Sequence, residues 1–363
     1  MGSGYGHSRE EYACPAGADV RDKVKMIDIH SHLYPQRYLS LLAERDEAPR
    51  VEDHSDGPHL VLFENEETFA GGSRSFGKGF FSIEEKLSFM DSHGIDTTVI
   101  SLGNPWIDFL PRDEAPVWAS RLNDELAGIA RDSTRFSALG VLPFQDIGSA
   151  VQETHRINKI PELIGVAMGT RPGGLHMDDR SLKPFWEAAE ALKVPLFVHP
   201  HYGIGVDWMG GYGHAMLLSL GFPFETATAA TRLILGGVLD RYPDLKMILA
   251  HGGGALLSLA GRIDACTRKD SRSSEKMEQP FRKYLNKFYY DTITYSSPVL
   301  AHLLQVAGYA QVMFGTDHPF DIADPQAGKA AIVETVASDN KKNALLRGTA
   351  ERWIMTGKLE KVT

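Results

Sequence analysis

Cysteine is scarce in this sequence. Of its 363 residues only Cys14 and Cys266 are cysteine, and no Cys-x-x-Cys pair occurs. This scarcity argues against a disulfide framework and against a zinc site built from thiolates. It is also typical of proteins that stay in a reducing compartment, so we expect a cytoplasmic location.

Long apolar runs and an excess of positive charge are also missing. No run of about 18 apolar residues occurs, so the sequence predicts no membrane span. Lysine and arginine together number 38 against 47 aspartate and glutamate, which gives a formal net charge of −9 at pH 7. Nucleic-acid binders usually show a basic face. We therefore expect a small molecule as the partner, and neither nucleic acid nor a membrane.

Eight short apolar runs alternate with longer segments of helical pattern. The runs cover 25–30, 97–103, 136–143, 164–170, 194–200, 246–253, 288–294 and 312–319. Nearly continuous apolar strands that alternate with helices indicate a parallel sheet covered on both faces. Eight such units favour an α/β fold of the (β/α)8 TIM-barrel type, with a doubly wound open sheet as the alternative.

The predicted organisation is an N-terminal arm and one barrel domain. Residues 1–24 are polar, and residues 25–363 carry the alternating pattern. Residues 43–80 interrupt this pattern because they are polar, rich in glycine and without a clear period. Since this insertion follows the first strand, a barrel would place it over the mouth. It would serve there as a lid or substrate loop, or be a plain surface excursion.

Polar residues gather where the predicted strands end. His30 and His32 end the first strand, His199 ends the fifth, His251 ends the sixth and Asp317 follows the eighth. In a TIM barrel the carboxyl ends of all strands meet at one mouth, where active sites are found. The sequence therefore predicts that these five side chains lie close together.

Four of these residues suit a metal ion. Side chains two apart on a strand lie on one face, so His30 and His32 can share an ion. His199 and Asp317 would complete a set of three nitrogens and one oxygen, which suits Zn²⁺ or another divalent ion such as Mn²⁺. As an alternative to metal binding, each residue could simply cap a strand or form part of a turn. The convergence of several strand ends favours one ion per subunit in a catalytic site.

The glycines after His251 allow two other interpretations. Gly252-Gly253-Gly254 leads to Leu257, where a dinucleotide-binding fingerprint needs its third glycine, so we expect no nucleotide cofactor. The same "HGGG" occurs in esterase oxyanion loops, but no G-x-S-x-G elbow occurs in the chain.

Several motifs resemble a known family. "IDIHSH", "FVHPHYG", "AHGGGALLSLAGR" and "FGTDHPF" resemble the decarboxylase branch of the amidohydrolase superfamily, the family of 2-amino-3-carboxymuconate-6-semialdehyde decarboxylase. "LSFMDSHGIDTTVISLGNPWIDFLPRDEAP" and "GYGHAMLLSLGFPFETA" are more similar to fungal isoorotate (uracil-5-carboxylate) decarboxylases. The resemblance implies an amidohydrolase-type barrel and a zinc-dependent, non-oxidative decarboxylase. Its substrate would be a planar cyclic carboxylate such as uracil-5-carboxylate or a hydroxybenzoate, with the muconate semialdehyde as a further alternative.

The resemblance also implies roles for individual residues. His30, His32, His199 and Asp317 match the metal ligands, Asp317 matches the group that protonates the ring carbon, and His251 matches an acid/base histidine. The classical hydrolases of this superfamily bridge two metals with a carboxylated lysine. No lysine stands at the end of the fourth strand, "VAMGTRPGG", which favours one metal.

Six residues are candidates for substrate contacts. Asn104 and Phe320 match substrate-contacting positions of the family, and Arg74 in the insertion is the candidate for binding the substrate carboxylate. Trp106 and His214 are candidates by their place near the predicted mouth, with packing or capping as the alternative. Arg262 matches an arginine that reaches the neighbouring subunit's site, which implies a homodimer or homotetramer.

The same ligands also fit a hydrolase. Zinc lowers the pKa of bound water from about 15.7 to roughly 7, and Asp317 would then be the base for attack on an amide, lactone or ester. A binding protein with a closed, structural zinc site is a third possibility. The resemblance favours decarboxylation.

Overall fold

The structure is a computed structural model that describes residues 25–64, 66, 72–274 and 276–359. The predicted N-terminal arm, 1–24, lies outside the described residues, as do residues 65 and 67–71 of the predicted insertion. Within the described part, no helix is both long and apolar enough to cross a bilayer.

Eleven strands form two separate sheets in the described chain. They are β1 (Met26–His32), β2 (Arg50–His54), β3 (Gly57–Val61), β4 (Arg74–Ser75), β5 (Ile95–Ser101), β6 (Phe136–Gly140), β7 (Leu163–Gly169), β8 (Leu196–His199), β9 (Met247–Leu249), β10 (Tyr289–Asp291) and β11 (Val312–Met313).

The α-helices of the described chain mostly connect the strands of the larger sheet. They are α1 (Gln36–Ala43), α2 (Ile83–His93), α3 (Ala115–Asp132), α4 (Ile147–Ile157), α5 (Lys183–Ala191), α6 (Phe222–Leu235), α7 (Val238–Arg241), α8 (Leu256–Thr267), α9 (Ser271–Ser274), α10 (Ser297–Ala307), α11 (Pro325–Thr335), α12 (Asp339–Asn343) and α13 (Thr349–Leu359). A π-helical segment, Leu217–Gly221, leads directly into α6.

The larger sheet is the predicted (β/α)8 barrel. Its order is β1-β5-β6-β7-β8-β9-β10-β11, and all seven neighbouring pairs are parallel. The first and last strands meet at a seam, where the Ile29 amide donates to the Phe314 carbonyl at 3.0 Å and Ser31 forms a parallel bridge with His318. Each of the eight apolar runs predicted from the sequence overlaps one of these strands, so this prediction is confirmed.

Apolar side chains fill the barrel interior. Ile27, Ile29, Phe197 and Ile248 form one buried cluster, which Trp353 of α13 joins. Because this part is packed with apolar atoms, the polar residues that follow the strands are left to converge at the mouth.

The smaller sheet lies in the insertion. β2, β3 and β4 pair in antiparallel fashion, in that order. The sequence shows no clear period there because β2 is at least partly exposed along its whole length, so no apolar face is required of it. The Phe63 ring, just after β3, stacks on the His201 ring with centroids 5.1 Å apart. The insertion thus contacts residues that follow β8.

Candidate active site

A break in the alternation of β1 points its two histidines into the barrel. Ile27 and Ile29 belong to the interior cluster, so strict alternation would turn His30 outward. The pairing with β5 shifts register between Asp28 and Ser31. Such an irregularity re-aims the following side chains. The His30 ring accordingly lies against the interior Phe197 ring, with centroids 4.7 Å apart.

The four predicted ligands form one buried cluster. Atoms of His30, His32, His199 and Asp317 that could bind a metal all lie within 4.8 Å of one another. The Nε2 atoms of His30 and His32 are 3.1 Å apart, and they lie 3.2 and 3.1 Å from Oδ1 of Asp317. Ligands at about 2.0 Å around a tetrahedral ion would be about 3.3 Å apart, so these spacings fit zinc.

Each histidine of the cluster is oriented through its other ring nitrogen. Nδ1 of His30 lies 2.7 Å from Oδ2 of Asp291, and Nδ1 of His32 lies 3.1 Å from the Ser101 hydroxyl. Nδ1 of His199 lies 2.8 Å from the Pro200 carbonyl oxygen, to which it donates. Among the described residues, Nε2 of His199 is buried without a hydrogen-bond partner. With Nδ1 engaged in each ring, the Nε2 lone pairs are directed at the centre of the cluster, as metal ligation requires.

The electrostatics of the cluster also suit a cation. Burial alone would lower the pKa of His30, but Asp317 and Asp291 on either side raise it to about 10. Burial lowers the pKa of His32 to about 4 and that of His199 well below its usual range. At neutral pH the buried carboxylates of Asp317 and Asp291 therefore flank a protonated His30, whereas the His32 and His199 rings are neutral. A divalent cation matches the charge of the two carboxylates better, and its binding would displace the proton on His30.

Asp317 and His251 face each other at the edge of this cluster. Nε2 of His251 lies 3.4 Å from Oδ2 of Asp317. Burial would raise the pKa of Asp317, but the charge on His30 and hydrogen bonds from His251, His30 and His32 lower it well below its usual range. Asp317 is therefore ionised at neutral pH.

Asp291 holds the backbone that carries His251. Its Oδ2 accepts from the His251 amide at 2.8 Å, and its Oδ1 accepts from the Gly252 amide at 2.8 Å. Gly252 has a φ of +60°, and a Cβ there would lie 2.8 Å from the Thr294 side chain, so only glycine fits. One buried carboxylate thus positions both His30 of the predicted ligand set and the acid/base candidate His251.

A cavity of about 310 Å³ opens beside the cluster. His199, His251 and Asp317 lie on its polar side, and Arg74, Asn104 and Phe320 also line it. Apolar side chains form much of the rest of its wall: Leu218, Phe222, Pro223, Ile293, Val299 and Ile322. The site therefore combines a few convergent polar groups with an apolar enclosure, as small-molecule sites do.

Two polar side chains in this cavity have buried atoms that form no hydrogen bond within the described part of the chain. Nε and Nη2 of Arg74 are buried and make no hydrogen bond to the described residues, although Nε lies 3.9 Å from Oε1 of Glu66. The Asn104 amide nitrogen lies 3.0 Å from Nδ1 of His201, which leaves Oδ1 of Asn104 without a partner among the described residues. These donors and this acceptor are suited to a polar ligand.

Three other candidates do not line the cavity. Trp106 is 3 % exposed, and its ring packs edge-on against the His199 ring. This packing needs Gly169, where a Cβ would lie 2.8 Å from the indole. Nε2 of His214 lies 2.5 Å from Oε1 of Glu66. Arg262 is exposed on α8. A substrate contact for these three residues stays a prediction.

Sequence reasoning missed two residues of the site. Asp291 lies in the predicted seventh strand. A carboxylate directly after the apolar residues of that strand is the sequence feature that could have identified it. Lys86 is fully buried on α2, and its ammonium group donates to the His32 carbonyl at 2.7 Å. No local pattern distinguishes Lys86 from other helix-surface lysines.

Fold and site together define a metal-dependent enzyme of the (β/α)8 class. The chain belongs to the amidohydrolase family, whose model, described as "Amidohydrolase", matches residues 27–354. The relatives that it matches over most of its length are decarboxylases. This confirms the resemblance stated from the sequence.

Three comparisons document the relationship. The chain is 30% identical over 332 residues to 2-amino-3-carboxymuconate-6-semialdehyde decarboxylase of Dictyostelium discoideum, with 89% of this chain and 90% of that protein covered. It is 31% identical to gamma-resorcylate decarboxylase of Polaromonas sp., with 71% and 83% covered. The apo crystal structure of Metarhizium anisopliae isoorotate decarboxylase (IDCase) superposes with a TM-score of 0.85 at 33% identity, with 91% and 97% covered.

Proposed function

We propose that this protein is a metal-dependent, non-oxidative decarboxylase of a planar cyclic carboxylate, with uracil-5-carboxylate as the first candidate and a hydroxybenzoate as the second. The observation that carries this proposal is the shared Asp317 carboxylate. One of its oxygens lies 3.1 Å from His32 in the ligand cluster, and the other lies 3.4 Å from His251. The same carboxylate can therefore help to hold a metal and take part in proton transfer.

One Zn²⁺ per subunit fits the ligand set best, with Mn²⁺ as the alternative. Three imidazole nitrogens and one carboxylate oxygen suit zinc. β7 contains no lysine, and the Thr170 hydroxyl that follows it donates to Glu225, which supports one ion rather than two. When bound by His30, His32, His199 and Asp317, the ion would hold the substrate carboxylate and fix the orientation of the ring beside the group that donates the proton.

His251 and Asp317 would deliver the proton. His251, 3.4 Å from Oδ2 of Asp317, would supply the proton, which passes through Asp317 to the ring carbon. Proton addition forms the C–H bond and interrupts conjugation. The bond to the carboxylate then breaks, its electron pair returns to the ring, and carbon dioxide leaves. Atoms and charge balance, since one proton and one carboxylate give one C–H bond and one carbon dioxide.

The polar groups of the cavity favour uracil-5-carboxylate. A uracil edge presents N–H donors beside carbonyl acceptors, which complement Oδ1 of Asn104 and the Nε and Nη2 donors of Arg74. The hydroxyl groups of a hydroxybenzoate can also donate and accept, which keeps it as the second candidate. An open-chain muconate semialdehyde lacks the rigid planar ring that could stack on Phe320. Leaving buried polar atoms unpaired costs free energy, so the ligand that satisfies them binds better.

Hydrolysis is the less favoured outcome at the same ligands. The donor set alone would also support attack by metal-activated water. The relatives at 30% and 31% identity are decarboxylases, which weighs against this alternative.

The finer assembly is also part of the proposal. We infer a cytoplasmic homodimer or homotetramer in which Arg262 approaches the neighbouring subunit's site. The exposed position of Arg262 on α8, outside the cavity of its own chain, supports this arrangement. Sedimentation analysis combined with an Arg262→Ala variant tests it, because a fully active monomer would refute subunit sharing.

A substrate panel tests the reaction. The protein is stripped with a chelator, reloaded with Zn²⁺ or Mn²⁺, and incubated with uracil-5-carboxylate, 2,6-dihydroxybenzoate and a set of simple amides and lactones. We expect metal-dependent release of carbon dioxide, fastest with the uracil compound. Hydrolysis of an amide or lactone without carbon dioxide release from any carboxylate would refute the proposal.

A further inference from the structure

Lys86 is a buried lysine that the proposed chemistry does not use. It projects from α2, its side chain is fully buried, and its ammonium group makes four contacts. Nζ lies 2.8 Å from Oγ of Ser31, 2.7 Å from the His32 carbonyl oxygen, and 2.7 and 3.3 Å from Nδ1 and the carbonyl oxygen of His318. A buried ammonium ion is costly unless its donors are satisfied, and here they are.

These contacts bridge the seam of the barrel. Ser31 and His32 belong to β1, whereas His318 follows β11. The seam is short because β11 has only two residues. Backbone bonds cross it where the His32 amide donates to the His318 carbonyl at 2.7 Å and the Asp317 amide donates to the His30 carbonyl at 2.9 Å. The Lys86 ammonium group ties the same two segments together from a third element.

The metal ligands lie on both sides of this seam. His30 and His32 come from the β1 side, and Asp317, the neighbour of His318, comes from the other. The spacings of 3.1 and 3.2 Å between Oδ1 of Asp317 and the two imidazoles therefore depend on how the two segments are held. Asp28 makes a second connection, since its Oδ2 accepts from the Thr316 hydroxyl at 2.7 Å.

We propose that Lys86 is a positioning residue for the metal centre. Its ammonium group holds β1 and the segment after β11 at the separation that lets His30, His32 and Asp317 bind one ion. The inference rests on the metal site of the proposed function, but not on the reaction or the substrate. An apolar side chain at this position would leave the His32 carbonyl without its ammonium donor and would loosen the seam.

Metal affinity in the absence of substrate tests this role. Lys86→Met is compared with the control variant Lys329→Met. The Lys329 ammonium group also donates to a backbone carbonyl, that of His93 at the end of α2, at 3.0 Å, but this contact lies away from the predicted metal ligands. For each metal-free protein, the dissociation constant for Zn²⁺ is measured by competition with a chromophoric chelator, and the melting temperature is recorded. We expect Lys86→Met to raise the dissociation constant at least tenfold and Lys329→Met to change it less than twofold.

A milder variant covers the case in which Lys86→Met does not fold. Ser31→Ala removes one acceptor of the ammonium group, and it also removes the bond from the Ser31 hydroxyl to the His318 carbonyl. We expect a smaller rise in the dissociation constant and a changed visible spectrum of the Co²⁺-loaded protein. If the variants that fold bind Zn²⁺ within twofold of the wild type, Lys86 serves only the fold and the inference is wrong.

The outcomes separate this inference from the proposed reaction. If the wild-type protein binds neither Zn²⁺ nor Mn²⁺, both proposals fail. If the protein binds metal and Lys86→Met weakens that binding, the positioning role stands even when no carboxylate is decarboxylated.

Discussion

Nε2 of His251 lies 3.4 Å from Oδ2 of Asp317, the carboxylate oxygen that is turned away from the ligand histidines. The other oxygen, Oδ1, lies 3.2 and 3.1 Å from Nε2 of His30 and His32. The two oxygens of this carboxylate therefore face different groups, the histidines of the proposed metal site on one side and His251 on the other.

Replacing His251 should slow the reaction without removing the metal. In His251→Asn the store for the transferred proton is lost, and general acid–base groups typically contribute about 10²- to 10⁴-fold in rate. We expect kcat to fall within that range while metal content stays at about one ion per chain. The two measurements are steady-state kinetics and elemental analysis. A variant that loses its metal would instead identify His251 as a ligand.

Replacing Asp317 should affect both metal and rate. Asp317→Asn keeps the shape of the side chain but removes the charge that the cluster supplies and the group that passes the proton. We expect a higher dissociation constant for Zn²⁺ and no measurable turnover even at saturating metal. Circular dichroism serves as the control for folding. Near-normal turnover in metal-saturated Asp317→Asn would refute the role in proton transfer.

Asp291 should act on the metal through His30. Its carboxylate lies 2.7 Å from Nδ1 of His30, and loss of such a partner typically lowers metal affinity about 10- to 100-fold. We expect Asp291→Asn to raise the dissociation constant for Zn²⁺ by that factor. The control is Ser101→Ala, which removes the weaker contact to His32 at 3.1 Å and should have a smaller effect. Equal effects of the two variants would contradict this ranking.

Arg74 should act on substrate binding. The guanidinium group is buried beside the cavity, and its Nε and Nη2 donors make no hydrogen bond to the described residues. A hydrogen bond to a charged group contributes about 1.5–3 kcal/mol. We expect Arg74→Met to raise KM by about 10- to 150-fold with a smaller change in kcat. Arg121→Met provides the comparison, since Arg121 lies over the Trp118 ring and does not line the cavity. An unchanged KM would exclude Arg74 from the substrate site.

Stability at acidic pH should depend on Asp146, which caps α4. Hydrogen bonds from Ser149 and Arg112 lower its pKa to about 2. A carboxylate with a lowered pKa stabilises the fold above its unfolded-state pKa of about 3.9, and this contribution is lost as the pH falls towards 2. We expect Asp146→Ala to reduce the free energy of unfolding by about 1 kcal/mol at pH 7.

The same urea denaturation experiment at about pH 3 checks the sign of this effect. The difference between wild type and Asp146→Ala should shrink there, because the wild-type carboxylate loses part of its advantage. Asp146→Asn keeps a capping side chain without the charge. At pH 7 its free energy of unfolding should lie between those of the wild type and Asp146→Ala. A difference that is constant from pH 7 to pH 3 would show that the charge of Asp146 does not matter.

The sequence predicts the barrel and the ligand cluster because both depend on local patterns. Each strand is an apolar run, and each ligand follows such a run, so parallel closure alone brings His199 to His30. The roles of Asp291 and Lys86 depend on contacts between distant segments. The Lys86 ammonium group meets a residue 232 positions away, and no period or spacing within α2 encodes that contact.

Some features of the mouth were beyond sequence reasoning for a similar reason. The register shift in β1 turns His30 inward, although alternation with Ile27 and Ile29 would turn it outward. The place of Trp106 behind His199 depends on the missing side chain at Gly169 on β7. Side-chain packing between strands decides such details.

The seam between β1 and the segment after β11 has a consequence for assembly of the active protein. His32 and Asp317 are 285 residues apart in sequence, and they meet only when the first and last strands are adjacent. A chain that stops before the eighth barrel strand therefore has no complete ligand set, whatever else has folded. If this cluster binds the proposed metal, high-affinity uptake would be a late event in synthesis, and it would mark a molecule whose barrel has closed.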